Sequence, residues 1–183
     1  MSTSSSETAT VLAASELQEM RAALAQSAER FARTEIAPHV TAWDAAGEFP
    51  RRLYQRAAEL GFLGLGYPQS YGGTPVPHRL RITLSRTLAR HAASGGVLAS
   101  LFSHSIGLPP VLALASDDIK REVVPGVLAG ERISALAITE PGGGSDVAAL
   151  RTHARRDGDD YVVNGEKIAS FEFQVGGIVA GFR

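Results

Sequence analysis

The sequence predicts a mainly α protein: a helical N-terminal domain followed by an incomplete antiparallel β domain, which is an α+β architecture overall. Apolar residues recur every three or four positions as far as about residue 130, the period of helices that pack through one face. Beyond that point the apolar runs shorten, and the turn dipeptides Asp157-Gly158 and Asn164-Gly165 appear between them, as in β-hairpins. The 183 residues are 44% hydrophobic and include no Cys, so the core must form without disulfides.

Residues 1–14 are Ser/Thr-rich, carry no Lys or Arg and are interpreted as a disordered leader. They lack the charged start and apolar core of a signal peptide, and no segment reaches the ~18 uninterrupted apolar residues of a bilayer span. We therefore expect a cytoplasmic protein with no membrane span. Eighteen Lys and Arg against nineteen Asp and Glu give a net charge of −1, so no nucleic-acid partner is expected.

The helical domain is predicted over residues 15–132. Ser15 is expected to cap the first helix, and Pro38 is expected to break that helix near Glu35 because proline has no N–H to donate. Further helices are expected over 50–61, 80–93, 97–115 and 116–129, each bounded by Pro, Gly or Ser.

The β domain is predicted over residues 133–183. A short apolar strand over 133–139 ends at Glu140-Pro141, where the proline favours extended backbone. Two further strands, over 151–156 and 161–163, flank the first hairpin turn.

The segment 139–146, Thr-Glu-Pro-Gly-Gly-Gly-Ser-Asp, is the most informative stretch. Three consecutive glycines allow backbone to approach a ligand closely, and their amides can point together at an anion or at a polar ring edge. The segment lacks the Gly-Lys-Ser/Thr of a phosphate-binding P-loop, and the glycine spacing alone is equally typical of a flexible surface turn. Glu140 and Asp146 are expected to orient this loop by accepting backbone hydrogen bonds.

The five histidines are scattered along the chain without metal-ligand spacing, so no metal site is predicted.

Five stretches together resemble the acyl-CoA dehydrogenases, and they occur in the family's order over nearly the whole chain after the leader. They are Phe31 to Phe49 with Glu35-Ile36-Ala37-Pro38 and Trp43-Asp44, Pro50 to Gly73 with Ala58-Glu59-Leu60-Gly61 and Tyr71-Gly72-Gly73, Gly130-Glu131, Ala137 to Asp146, and Asp160 to Lys167.

The resemblance implies an FAD site and assigns residues to it. Leu136, Ile138 and Thr139 would line the flavin ring, with Thr139 bonding its pyrimidine edge. Gly144 and Ser145 would contact the flavin or its pyrophosphate and the acyl-CoA, so that Ser145 is also a substrate-binding residue. Donors held at the flavin would stabilise the negative charge that hydride transfer builds there.

The implied reaction is α,β-desaturation of an acyl-CoA thioester in fatty acid metabolism, with an electron-transfer flavoprotein as electron acceptor. In this family the carboxylate base lies in a C-terminal helical bundle, so no catalytic residue is expected within these 183 residues, and the chain is expected to be a truncated N-terminal portion. A full-length protein would be a homo-oligomer. Residues 168–173 depart from the family pattern, which implies an altered second wall of the flavin site.

Two other functions stay open on the sequence. The chain could be a non-catalytic flavin- or acyl-CoA-binding subunit that needs a partner to supply the bundle. It could also belong to a flavin oxidase or monooxygenase, because one fold serves several chemistries.

Overall fold

The computed structural model describes residues 14–168 and the backbone of residues 178–180. The α-helices of this part of the chain are α1 Ala14–Phe31, α2 Val40–Ala46, α3 Arg52–Glu59, α4 His78–His91, α5 Gly95–Leu101, α6 His104–Leu114 and α7 Asp117–Leu128. The strands are β1 Ser134–Leu136, β2 His153–Asp157, β3 Asp160–Asn164 and β4 Ile178–Ala180. The mainly α fold with a small β part is the predicted one.

The first helix is interrupted where the sequence predicts a break. After α1 the chain makes one π-helical turn at Ala32–Ile36, closed by the Ala37 amide donating to the Ala32 carbonyl at 2.8 Å. Pro38 cannot donate the next bond, so the helix stops and resumes as α2. The predicted N-cap at Ser15 is wrong, because α1 begins at Ala14 and Ser15 lies inside its first turn.

Serine side chains begin two of the later helices. The Ser94 hydroxyl accepts the Val97 amide at 3.2 Å and caps α5, and the Ser116 hydroxyl accepts the Ile119 amide at 3.4 Å and caps α7. Each satisfies one of the donors that a helix start leaves unpaired. The N-cap predicted at Ser116 is confirmed.

The single helix predicted over 97–115 is two helices in the structure. Between α5 and α6 the backbone hydrogen bonds change from the α-helical to the 3-10 pattern. The Ser103 amide donates to the Ser100 carbonyl, three residues earlier, at 3.2 Å. Leu101 and Leu108 are both fully buried, so the apolar face continues across the break. Apolar periodicity therefore gives no sign of the interruption.

The stretch Gly95–Leu114, which contains both helices, is the one segment of the described residues that is long and apolar enough to cross a membrane by length and composition. This is weak evidence, because a core helix of a soluble protein meets the same criteria. Here Leu101 and Leu108 are buried within the domain, and the buried His104 ring bonds the Leu63 carbonyl at 3.0 Å.

The core consists of two groups of buried side chains. The larger group joins α1, α3, α4 and α5 and includes Phe31, Ile36, Leu53, Leu88 and Leu101. The smaller group lies between α6, α7 and the segment before α4, and includes Tyr67, Leu108, Val124 and Val127. Helices thus bury both groups, and strand β1 lies against α6.

Two separate two-stranded sheets follow the helices. Strands β2 and β3 pair antiparallel from His153 opposite Asn164 to Asp157 opposite Asp160, as the hairpin signal predicts. Strands β1 and β4 pair in parallel, with Ser134 opposite Ile178. Both strands of the hairpin are exposed along their whole length.

Candidate functional site

Strand β1 and the residues after it present alternate side chains to two different surroundings. Ala135 and Ala137 are each 3% exposed, whereas Leu136 and Ile138 between them are only half-buried. Extended backbone turns successive side chains to opposite faces, so the alanines face the protein interior. The larger apolar side chains of Leu136 and Ile138 are left accessible on the other face.

Helix α6 sets the position of this strand through a close contact. Gly107, in the second turn of α6, lies against Ser134, and a Cβ added to Gly107 would overlap the Ser134 hydroxyl and lie 3.2 Å from its Cβ. Only glycine leaves room for the strand at this distance. The contact therefore fixes where the chain leaves the helical domain and enters the glycine-rich loop.

The loop itself begins with a tight turn. The Glu140 amide donates to the Gly143 carbonyl at 2.9 Å, and the Gly143 amide donates to the Glu140 carbonyl at 3.1 Å. Gly144 then folds back onto Thr139, since a Cβ at Gly144 would lie 3.3 Å from the Thr139 methyl carbon. Gly144 is thereby brought beside Thr139, the first residue of the segment.

The buried side chain of Glu140 holds this turn against the neighbouring chain. Its side chain accepts the Arg151 amide at 2.7 Å, the Thr152 amide at 2.9 Å and the Lys167 ammonium at 2.8 Å, although only 6% of the residue is exposed. The hydrogen bond from Lys167 is the largest of the effects that hold the pKa of the Glu140 carboxyl well below its usual range. The carboxylate is therefore ionised, paired and bonded at neutral pH.

Lys167 connects the segment after β3 to the same turn. Its ammonium also donates to the Ile138 carbonyl at 2.9 Å, and the next residue, Ile168, donates its amide to the Thr139 carbonyl at 3.1 Å. Sequence reasoning quoted Lys167 only as the end of a motif and missed this role. No local signal in the sequence points to it, because Lys167 is 27 residues from Glu140.

The orienting role predicted for Glu140 and Asp146 is confirmed. Besides the Glu140 contacts, the Asp146 carboxylate accepts the Ala148 amide at 3.2 Å and caps the short 3-10 turn Val147–Ala149. Neither carboxylate is placed for acid–base chemistry at the accessible face, because each is already bonded to backbone of its own loop.

Each of the sequence-predicted site residues is at least partly accessible in the structure. Leu136, Ile138 and Thr139 are each half-buried, Gly144 lies against Thr139, and Ser145 is exposed. Among the described residues, the Thr139 and Ser145 hydroxyls have no hydrogen-bond partner within the protein. These donors are available to a ligand.

Of the predicted altered wall over 168–173, only Ile168 lies within the described residues, and its side chain is exposed. The rest of that prediction falls outside them. No cluster of three or more His, Cys, Asp or Glu that could hold a metal ion occurs in the described part of the chain.

Comparison with known proteins gives the same family over the helical and β parts. Residues 18–131 match the family described as acyl-CoA dehydrogenase, N-terminal domain, and residues 135–172 match the corresponding middle domain. The chain is 35% identical over 140 residues to a 3-(aryl)acrylate reductase of Clostridium sporogenes, and 34% identical over 138 residues to an acyl-CoA dehydrogenase of Bacillus subtilis.

These two alignments cover 76% and 75% of this chain but 37% and 36% of the relatives, so the chain spans just over a third of their length. The crystal structure of an acyl-CoA dehydrogenase from Geobacillus kaustophilus is 32% identical, with a TM-score of 0.70 over 89% of this chain and 41% of that one. The first family match alone takes in more than half of the residues. The chain therefore belongs to the acyl-CoA dehydrogenase family, whose members are flavoprotein oxidoreductases.

Proposed function

We propose that residues 136–145 form the wall of an FAD site, and that the protein to which they belong is an FAD-dependent acyl-CoA dehydrogenase. One observation carries the proposal. The half-buried Leu136 and Ile138 are followed by hydroxyl donors without a partner among the described residues, and the buried, hydrogen-bonded carboxylate of Glu140 holds the turn between them. A binding surface for a flat, partly polar ring needs such a rigid arrangement, because donors that are already ordered lose no freedom on binding.

The residues present fit FAD in shape and in charge. Leu136 and Ile138 offer apolar surface to a ring face, and the Thr139 hydroxyl can donate at the ring edge. The amides of Gly144 and Ser145 make no backbone hydrogen bond within the described residues, so they can donate to ring or phosphate oxygens. The Glu140 charge is neutralised by Lys167 and would not repel a pyrophosphate.

FAD bound at this wall would supply the hydride acceptor for α,β-desaturation of an acyl-CoA thioester. The chain's own contribution is to orient the ring against Leu136 and Ile138 and to place the Thr139 donor where negative charge develops. Ser145 is proposed to contact both the cofactor and the acyl-CoA. The carboxylate base is proposed to come from outside these 183 residues.

The remaining parts of the proposal concern the whole protein. We propose that it acts in fatty acid metabolism in the cytoplasm, as a homo-oligomer that passes electrons to an electron-transfer flavoprotein. Relatives of this chain are named both dehydrogenase and reductase, so the direction of electron flow has to be measured.

The decisive experiment follows FAD binding to the 183-residue chain by quenching of flavin fluorescence, in the wild type and in Thr139→Val. Removing the hydroxyl without changing the side-chain volume should weaken binding about threefold to tenfold, the value of one neutral hydrogen bond. Thr74→Val, an exposed threonine in the loop before α4, is the matched control and should bind like the wild type.

A chimera extends this test to the reaction. Residues 18–172 of this chain would replace the matching part of the Bacillus subtilis relative, and bleaching of bound flavin by acyl-CoA would be recorded. A folded chimera that retains no flavin, together with equal FAD affinity for the wild-type chain and Thr139→Val, would refute the proposed function.

A further inference from the structure

A cavity in the helical domain lies away from the candidate flavin wall. It has a volume of about 320 Å³ and lies between the start of α4, the segment before it and the junction of α5 with α6. Apolar side chains contribute to its lining, among them Phe62, Leu84 and Phe102. Tyr67, Arg81 and Ser105 contribute polar groups to the same lining.

The cavity and the flavin wall have different lining residues, although both adjoin α6. Ser105 lines the cavity, whereas Gly107, two residues later in α6, lies against strand β1. None of the described residues that line the cavity belongs to strand β1 or to the glycine-rich loop. The cavity is therefore separate from the site formed by residues 136–145.

Arg81 is the central charged group of the cavity. It is half-buried, its guanidinium carbon lies 5.9 Å from the centre of the Tyr67 ring, and it makes no ion pair within the described residues. No Asp or Glu of the described chain is among the residues that line the cavity. A half-buried guanidinium with no carboxylate nearby is a ready partner for an anion.

The backbone is shaped to hold Arg81 in this position. Gly66 has φ +86, and a Cβ at that residue would lie 2.5 Å from the Arg81 Cδ. The Arg81 stem thus lies across a position that only glycine leaves open, while the guanidinium lies over the ring of the next residue, Tyr67.

Neighbouring titratable groups leave the positive charge of the cavity uncompensated at neutral pH. Burial lowers the pKa of His104 to about 4, and the Arg81 charge adds to the effect, so the imidazole is neutral. Burial raises the pKa of the Tyr67 hydroxyl, which therefore stays protonated and donates to the His104 carbonyl at 3.3 Å. Arg86 adds a further cation at the rim.

We propose that this cavity binds a small organic carboxylate with a short apolar chain, its carboxylate paired with Arg81 and its chain lying against Phe62 and Phe102. The Arg81 guanidinium favours a negatively charged ligand, and the apolar lining residues favour burial of the ligand's carbon atoms. The volume admits a molecule of several carbons and is small for a nucleotide.

The test uses hexanoate as probe and hexanamide as its uncharged counterpart. Both are titrated into the ¹⁵N-labelled 183-residue chain while the amide signals of Gly66 and Ser105 and the Arg81 side-chain Nε–H are followed by NMR. Hexanoate should shift these three signals and bind about tenfold or more tightly than hexanamide, as expected for one charge-assisted contact.

Variants of α4 separate the role of Arg81 from general positive charge. Arg81→Gln should weaken hexanoate binding about tenfold or more, and Arg81→Lys should restore part of it while keeping the packing of the stem. Arg79→Gln, on the exposed side of the same helix, is the matched control and should bind like the wild type.

The proposal is wrong if hexanoate and hexanamide bind equally, or if Arg81→Gln and Arg79→Gln have equal effects. It is also wrong if hexanoate leaves the three signals unmoved because another segment or a second copy of the chain fills the cavity. Gel filtration of the labelled sample identifies the second-copy case. None of these outcomes bears on FAD binding by residues 136–145, so the proposed function is tested separately.

Discussion

Replacing the buried His104 by glutamine should change how the stability of this domain depends on pH. The ring is 5% exposed, and its Nε2 donates to the Leu63 carbonyl at 3.0 Å. Burial is the main reason that its pKa falls to about 4 from an ordinary 6.5. Glutamine can make the same donation but has no proton to gain in this range.

The expected magnitude follows from proton linkage. The unfolded chain protonates this imidazole at a higher pH than the folded chain does, so acid favours unfolding. The contribution of His104 to the free energy of unfolding is complete above about pH 6.5 and is lost progressively as the pH falls toward about 4. Between about pH 7 and about pH 5 the loss is roughly 2 kcal/mol.

Urea unfolding at a series of pH values, followed by circular dichroism, measures this loss. The wild type should lose about 2 kcal/mol more than His104→Gln over that interval. His153→Gln, at an exposed position of strand β2, should follow the wild type and serves as the control. Parallel pH dependences for wild type and His104→Gln would refute the assignment of a buried neutral imidazole.

Three further predictions concern packing and the loop anchor. Leu101→Ala, at a fully buried position, should lower the free energy of unfolding by about 3 kcal/mol in the same urea assay. Gly107→Ala should cost about 1–3 kcal/mol by overpacking against Ser134, and less in a Ser134→Ala background, which a double-mutant cycle measures. Glu140→Gln should lower the melting temperature at neutral pH, and the gap to the wild type should narrow as the pH falls below the ordinary carboxyl range, because a lowered pKa stabilises only above that range.

Each of these predictions has an outcome that contradicts it. An unchanged stability in Leu101→Ala would show that this side chain is not in the core. Equal costs of Gly107→Ala in both backgrounds would mean that α6 does not touch β1 at Ser134. For the loop anchor, the exposed Glu166→Gln is the control; an equal effect of both substitutions would remove the special role of Glu140.

Local sequence signals predicted most of the helices because their causes lie within a few residues. Pro38 has no N–H to donate, so it ends the first helix whatever that helix packs against. The Ser116 hydroxyl accepts an amide only three residues along the chain. The same signals gave a wrong N-cap at Ser15 and a single helix over 97–115. Several residues near a helix start can serve as a cap, and a one-turn break that preserves the apolar face leaves the period unchanged.

The glycine-rich loop could be found from the sequence, and so could the roles of Glu140 and Asp146 as acceptors of backbone bonds. What the sequence could not supply was the identity of the distant partners. Lys167 is 27 residues from Glu140, and nothing in local periodicity distinguishes it from an exposed lysine.

The sequence by itself therefore determined the helical domain, the hairpin and the segment that carries the candidate flavin wall, because propensity, capping and glycine spacing act over a few residues. Only the tertiary structure decided three features. Gly107 allows strand β1 to approach α6, and Lys167 bonds the Glu140 carboxylate. Arg81 lines a cavity to which no carboxylate of the described residues contributes. These features depend on which surfaces meet and how much water they exclude, and such long-range burial leaves no periodic trace in the chain.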